Sequence, residues 1–315
     1  MIAEAQRAVL LAASRNTRLR EVVEHAPVTR GLVRRFVAGT GDDHALQVAA
    51  DLRGQGLLVT LDRLGEDVTD AEQAAATRDA YVSVLGRLSA IGLTEGGAVE
   101  VSVKLSALGQ ALGSSGEQTA LDNARVICEA AAVAGTTLTL DMEEHGTVDS
   151  TLRVLESLRA SWPWVGAVLQ AQLRRTEADC RDLSGVGSRV RLCKGAYAPA
   201  EAVAFLAPHE VDRSYVRCLK ALLGGDGYPM VASHDPTLLE IADALARDVG
   251  RDGSTWEVQM LLGVRPDEQA RLAALGRRVR TYVPYGEDWY AYLVRRMAER
   301  PANLALLLRS LTTKK

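Results

Sequence analysis

AVEVSVKLSAL, residues 98–108, decides the fold. Its centre alternates: Val101, Val103 and Leu105 share one face, and Ser102, Lys104 and Ser106 share the other. That is the two-residue period of a β-strand, whose successive side chains point to opposite sides. The alternation recurs along the chain. In TTLTLDM (136–142), Leu138 and Leu140 oppose Thr139 and Asp141. In VLQAQL (168–173), Leu169, Ala171 and Leu173 oppose Gln170 and Gln172. RVRLC (189–193) sets Val190 and Leu192 against Arg191, and WEVQML (256–261) sets Val258 and Met260 against Glu257 and Gln259.

Eight strand candidates fall at 57–66, 98–108, 136–144, 166–175, 189–197, 228–233, 256–263 and 280–286. Helical stretches separate them, among them TDAEQAAATRDAYVSVLGRLSAIG, ALDNARVICEAAAVAG, DPTLLEIADALARDVG and DEQARLAALG, and several end in Gly, a common helix terminator. Strands alternating with helices predict a parallel sheet. Eight such units over about 250 residues match a (β/α)8 barrel. An open doubly wound sheet would favour a G-x-G-x-x-G turn after a strand. The nearest run, GVGSRV at 185–190, ends in Val190 and precedes a strand, so that fingerprint is rejected. Residues 1–55 read as an N-terminal helical segment, and 56–315 as one barrel unit.

Parallel strands buried on both faces usually read as continuous apolar runs. Here five strands carry a polar face, predicted to point at the barrel axis while the apolar face meets the helices. Burying Lys, Asp, Arg and Gln unpaired costs several kcal/mol each. A polar pocket at the C-terminal ends of the strands, where barrel active sites lie, accounts for them better than five separate core pairs.

Several motifs sit at those ends. Lys104 is either an anion-binding ammonium or a Schiff-base nucleophile, or it is a core partner of Asp141. Within DMEEH (141–145), Asp141 alone is read as facing inward, together with Thr139, which argues against a multi-carboxylate metal cage, and His145 reads as a loop residue. RLCKGAY (191–197) offers a fixed cation, a Lys, a Gly for close backbone approach and a Tyr, suiting a large electron-poor or phosphate-bearing ligand. In SHDP (233–236), Asp235 is placed to cap a helix opened by Pro236. RTYVPYGEDWYAYLVRRMAER (280–300) reads as strand, turn and helix. Its helix carries Trp289, Tyr292, Arg295, Arg296 and Glu299 at three- and four-residue steps, an aromatic and cationic stripe suited to clamping a carboxylate.

The bulk numbers exclude other classes. A net charge of −3 over 315 residues, with no basic run, offers nothing to nucleic acid. No run of 18 apolar residues exists, and the N-terminus lacks a basic region ahead of its short apolar run, so neither a membrane span nor a signal peptide is expected. Cys128, Cys180, Cys193 and Cys218 show no CxxC spacing and read as reduced thiols; the five His show no zinc-ligand spacing, so no metal is expected.

VSVKLSALG, LDMEEH, VLQAQLRR, VRLCKGAY, ASHDP, EVQMLLGV and YVPYGEDWYAYLVRRMAERPAN resemble the ordered motifs of the proline dehydrogenase family, and GLVRRFVAG (31–39) resembles its N-terminal helical segment. The resemblance spans about 31–311, and Tyr282 with Arg295 and Arg296 is its most specific part. It implies a distorted (β/α)8 barrel holding FAD without a covalent link, with the last barrel helix over the C-terminal mouth. It also implies oxidation of L-proline to Δ1-pyrroline-5-carboxylate, the first step of proline catabolism, with electrons passed to a quinone. On this chain, Lys104, Arg295 and Arg296 would hold the proline carboxylate. Tyr282 and Tyr292 would pack on the ring, Leu261 would wall it, and Asp141 would lie beside it. Arg191 would lie near flavin N5 and favour the anionic reduced ring. Met142, Gln170, Lys194, Gly195, Ala196, Tyr197, Ser233 and His234 would contact FAD. Glu66 would gate the mouth by pairing with Arg295, and Glu299 would anchor the last helix near the cofactor. One departure is Ala198, where bifunctional enteric relatives carry Trp after Lys-Gly-Ala-Tyr, which puts one cofactor-stacking contact in doubt.

Physical chemistry agrees with that implication. Hydride transfer requires the reacting carbon about 3–3.5 Å from its acceptor, and a three-cation clamp supplies the orientation. A flavin carries the redox chemistry, so few acid–base groups are needed, and His234 is the only histidine at a strand end. The other readings are a Schiff-base barrel aldolase using Lys104 and a non-catalytic metabolite-binding barrel. The implied location is cytoplasmic, with a pyrroline-5-carboxylate dehydrogenase as the enzyme that takes the product. NLALLLRSL (303–311) reads as a barrel cap in preference to a peripheral docking surface for a membrane or partner enzyme.

Overall fold

The computed structural model describes residues 33, 35–197 and 199–298. Eight strands, β1 (Leu58–Arg63), β2 (Val99–Val103), β3 (Leu138–Leu140), β4 (Gly166–Gln170), β5 (Arg189–Cys193), β6 (Tyr228–Ala232), β7 (Glu257–Leu261) and β8 (Val279–Tyr285), pair in parallel and in chain order. β8 returns to β1, with Thr60 opposite Tyr282, and closes the barrel. This is the expected (β/α)8 architecture.

Helix α1 (Asp42–Gly54) precedes the barrel. Around it run α2 (Ala71–Ala90), α3 (Gly116–Val133), α4 (Val148–Arg159), α5 (Thr176–Asp182), α6 (Pro208–Gly224), α7 (Pro236–Asp248) and α8 (Pro266–Ala274), and α9 (Trp289–Ala298) follows β8. Local chemistry sets several starts. The Asp70 carboxylate accepts from the Gln73 N–H at 2.9 Å at the head of α2. Asp235 accepts from the Thr237 N–H at 3.1 Å, with Pro236 as the first residue of α7, as its motif predicts.

The strands are shorter than the sequence pattern suggests. The segment expected at 136–144 is a strand only over Leu138–Leu140, and that expected at 98–108 only over Val99–Val103. Lys104, Ser106, Asp141, Met142 and Gln172 therefore lie just past strand ends, on loops at the C-terminal mouth. Alternation persists there because the chain stays extended for a residue or two after its ladder partners run out.

Polarity is divided as the alternation predicts. Val101, Val103, Leu105, Leu138 and Leu140 are buried in one core with Leu85, Leu88, Ile127 and Leu155 of α2–α4. Leu169, Leu192, Val231 and Val258 are buried in another with Leu219, Leu222 and Leu239 of α6 and α7. Each such side chain contributes about 1.5–3 kcal/mol on full burial. Ala45, Leu46 and Ala49 of α1 join the first core, so this helix packs on the barrel. A third apolar group, Phe36, Val37, Leu64, Trp289, Tyr292, Leu293 and Val294, fastens α9 to the segment just past β1. That contact, with the Leu64 N–H donating to the Tyr285 carbonyl at 2.7 Å, keeps α9 at the mouth of the barrel.

Candidate active site

The inward side chains form two polar layers. The lower one lies at the N-terminal ends of the strands, and most of its charges pair within it. Arg280 Nε is 2.6 Å from Glu257 Oε1, and its Nη1 donates to the Val59 carbonyl at 2.9 Å. Arg189 Nη2 is 2.7 Å from Glu100 Oε2, and Thr60 donates to Glu100 at 2.9 Å. Burial pushes the Glu100 carboxyl up, but Arg280, Arg189 and Arg191 outweigh it and hold it well below the usual range. This layer is a charge-balanced floor.

The upper layer converges on Asp141. Its Oδ1 accepts from Arg191 Nη1 at 2.6 Å and from Ser102 Oγ at 2.8 Å, and its Oδ2 accepts from the Tyr282 hydroxyl at 2.6 Å. Arg191 Nε donates to Gln259 Oε1 at 2.6 Å, and Gln259 Nε2 donates on to Glu257 of the floor at 2.6 Å. The Arg191 guanidinium also stacks over the Tyr282 ring, 5.1 Å from its centroid. Burial raises the Tyr282 hydroxyl well above its ordinary value, so it remains a donor. Lys104 Nζ lies 2.6 Å from Asp62 Oδ1 and 3.9 Å from Asp141 Oδ2. Burial disfavours its ammonium, but Asp62, Asp141 and Glu66 outweigh burial and raise its pKa above that of a free lysine. The nearest core partner of Lys104 is thus Asp62, not Asp141.

Four residues expected in one site, Lys104, Asp141, Arg191 and Tyr282, therefore meet. Others line the same mouth. Gln170 Nε2 donates to the carbonyls of Glu143 at 2.6 Å and Met142 at 3.3 Å. His234 Nε2 accepts from the Leu261 N–H at 2.9 Å, joining the ends of β6 and β7, and Ser233 Oγ accepts from the Asp235 N–H. Lys194 is half-exposed and pairs with Asp212 at 2.6 Å and Asp235 at 3.3 Å. Gly195 has φ +118°, and a Cβ there would come 2.3 Å from the Gln172 side chain, so its close approach is to Gln172. Gln172 Nε2 donates to the Tyr197 carbonyl at 3.2 Å, tying down the half-buried Ala196–Tyr197 turn. Tyr292 is buried on α9. The side chains of Arg295 and Arg296, and all of Ala198 and Glu299, lie outside the described residues. A separate groove of about 660 Å³, lined by Asp67, Asp70, Leu112 and Thr119 among others, flanks the β1–α2 loop and shares no residue with the Asp141 cluster.

A proline dehydrogenase family model matches residues 45–307. The chain belongs to the proline dehydrogenase family. It is 37% identical over 284 residues to a proline dehydrogenase of Deinococcus radiodurans, covering 89% of this chain and 90% of that one. It is 33% identical over 280 residues to proline dehydrogenase 2 of Bacillus subtilis, with the same coverage. Among solved structures it resembles proline utilization A from Bdellovibrio bacteriovorus inactivated by N-propargylglycine, at TM-score 0.80 and 26% identity, over 91% of this chain and 34% of that one. Proline utilization A of Bradyrhizobium japonicum gives TM-score 0.71 at 25% identity over 90% of this chain and 32% of that one. The chain thus spans about a third of those larger structures.

Within this proline dehydrogenase family barrel, sequence reasoning missed Asp62, Glu143 and the floor. Asp62 shares inward parity with Thr60 in LVTLDR, a signal in plain view. Glu143 continues the parity of Thr139 and Asp141 and, contrary to the reading of Asp141 alone as inward, it is buried and accepts from Ser106 at 2.5 Å.

Proposed function

We propose that this oxidoreductase converts L-proline to Δ1-pyrroline-5-carboxylate with a non-covalently held FAD, electrons leaving to a quinone. The observation that carries the reading is the Asp141 cluster, in which Arg191, Ser102 and Tyr282 all donate to one carboxylate beside the Lys104 ammonium.

The residues present fit the cofactor. Arg191 Nη2 is buried without a hydrogen-bond partner among the described residues, and lies 3.9 Å from the Glu100 carboxylate of the floor. An unspent buried donor on a cation is costly unless a polar ligand meets it. When bound, FAD supplies the hydride acceptor at its N5. Arg191 would hold the N5 edge, with Met142, Gln170, Lys194, Gly195, Ala196, Tyr197, Ser233, His234 and Glu299 as further cofactor contacts.

The protein's own part is placement. Lys104, kept cationic by Asp62, binds the substrate carboxylate together with Arg295 and Arg296. Tyr282, Tyr292 and Leu261 form apolar walls that orient the ring and exclude water. Asp141 accepts from Arg191 and Ser102 on one oxygen and from Tyr282 on the other, so it fixes the cation and the tyrosine around the substrate. Glu66 closes the mouth with Arg295. The acceptor quinone and a pyrroline-5-carboxylate dehydrogenase are the partners this chemistry requires. Among the described residues no helix is long and apolar enough to cross a membrane.

The Schiff-base alternative is disfavoured by the same geometry. An amine nucleophile must be neutral, whereas Asp62 at 2.6 Å and Asp141 at 3.9 Å hold the Lys104 proton. The test is the visible absorption spectrum before and after proline, with reduction of an artificial dye. Yellow protein that bleaches on proline supports the reading; folded protein that shows neither response after FAD addition refutes it.

A further inference from the structure

Ser106 is a meeting point of three loops at the mouth. Its backbone N–H donates to Glu143 Oε2 at 3.0 Å and its hydroxyl to Glu143 Oε1 at 2.5 Å. The same hydroxyl accepts from the Asp67 N–H at 3.3 Å, and the Ser106 carbonyl accepts from the Val68 N–H at 3.4 Å. Asp67 holds φ +54°, in the left-handed region. A non-glycine residue stays there only where its surroundings fix it, and Ser106 supplies that fixing. Asp67 directly follows Glu66, whose charge acts on both Lys104 and Glu143. On the other side, Lys104 opens the turn that carries Ser106, its carbonyl accepting from the Ala107 N–H at 3.2 Å. Glu143 is anchored in turn from β4, through Gln170. The loops after β1, β2 and β3 are thus one hydrogen-bonded unit centred on a buried carboxyl that no step of the proposed reaction uses.

We propose that Glu143 is a positioning residue: acting through Ser106, it clasps the loops that carry Glu66 and Lys104, so that the mouth admits the substrate carboxylate in one orientation. The substrate in this statement rests on the proline reading. The clasp itself rests only on the contacts above.

The test compares holoenzyme carrying Glu143→Ala, Glu143→Gln and Ser106→Ala by proline-dependent dye reduction, and by amide hydrogen exchange of peptides containing Asp67 and Ser106. Glu143→Ala is expected to raise KM about five-fold or more with kcat within about two-fold, the signature of lost substrate placement without lost chemistry. Exchange at both amides should quicken. Glu143→Gln should restore both readouts, because its amide still accepts from the Ser106 N–H and now donates to the hydroxyl. Ser106→Ala should follow Glu143→Ala, and it replaces that variant if that variant does not fold. Unchanged KM and unchanged exchange in the alanine variants would overturn the clasp, as would a glutamine variant as impaired as alanine. If wild-type protein loaded with FAD does not oxidise proline, the functional reading fails, and exchange alone then decides the clasp.

Discussion

Lys104 Nζ sits 2.6 Å from Asp62 Oδ1, and both side chains are buried. The pair explains how a lysine on the inner wall of a barrel stays charged. It also makes Asp62 the residue on which that charge depends. Asp62→Asn keeps the shape but leaves the ammonium with Asp141 at 3.9 Å as its remaining close carboxylate. Breaking one side of a buried ion pair typically costs about 3–5 kcal/mol. Urea unfolding should show a loss near the lower end, since Asp141 compensates in part, and proline KM should rise with it. A loss under about 1 kcal/mol would mean that Asp62 does not hold the lysine.

The same pair disfavours Schiff-base chemistry. Borohydride treatment of the wild-type protein with a small carbonyl compound should leave Lys104 unmodified by mass spectrometry. A reduced adduct on Lys104 would revive the aldolase reading.

Glu143 sets a pH dependence of stability. Burial pushes its carboxyl up from 4.5 to about 7, with Ser106 pulling the other way. Between those values the folded state binds more protons than the unfolded state, so stability falls as pH rises. A shift of this size corresponds to about 3 kcal/mol lost across that window. Glu143→Gln does not titrate. Urea midpoints at pH 5 and pH 8 should therefore converge in Glu143→Gln relative to wild type, and parallel profiles would show that Glu143 titrates normally.

The architecture was legible because hydrophobicity has a period. Val101, Val103 and Leu105 against Ser102, Lys104 and Ser106 is enough to say strand, and eight strand candidates between helices, five of them alternating, are enough to say barrel. Lys104, Asp141 and Arg191 were legible because a charged side chain with inward parity must be paired with something, and Tyr282 was legible only through the motif resemblance. What they pair with was not. Arg191 bonds Gln259 across 68 positions and Asp141 across 50, and such register is fixed by barrel closure, not by local pattern. Parity also does not separate floor from mouth: Glu257 and Gln259 alternate alike, yet one balances Arg280 and the other aims Arg191.

Arg295 and Arg296 belong to α9, whose anchoring on Leu64 places it at the mouth. If they clamp a carboxylate through paired planar donors, a lysine cannot replace either. Arg295→Lys and Arg296→Lys should each raise proline KM by about ten-fold or more, with FAD content unchanged by absorbance. Unchanged kinetics would remove both from the clamp.

The floor of the barrel should matter for folding and, through one amide, for the site. Arg280 is fully buried against Glu257, and Glu100 lies 3.7 Å from its Nε. Arg280→Met removes the cation and leaves two buried carboxylates short of charge balance, so a loss of about 3–5 kcal/mol is expected. Pairing it with Glu257→Gln removes the stranded charge, and the double variant should recover part of that loss, a non-additivity readable in a double-mutant cycle. Glu257→Gln alone has a second consequence. The Glu257 carboxylate can only accept, which forces the Gln259 amide to point its NH2 at Glu257 and its oxygen at Arg191 Nε. A glutamine at 257 both donates and accepts, so that orientation is no longer enforced and Arg191 loses its fixed acceptor. The flavin reduction potential measured on holoenzyme should then shift in Glu257→Gln but stay at the wild-type value in Glu268→Gln, a partly exposed control on α8 whose carboxylate pairs, among the described residues, with Arg271 and Arg265. Equal potentials in the two variants would show that the floor carries no influence to the cofactor.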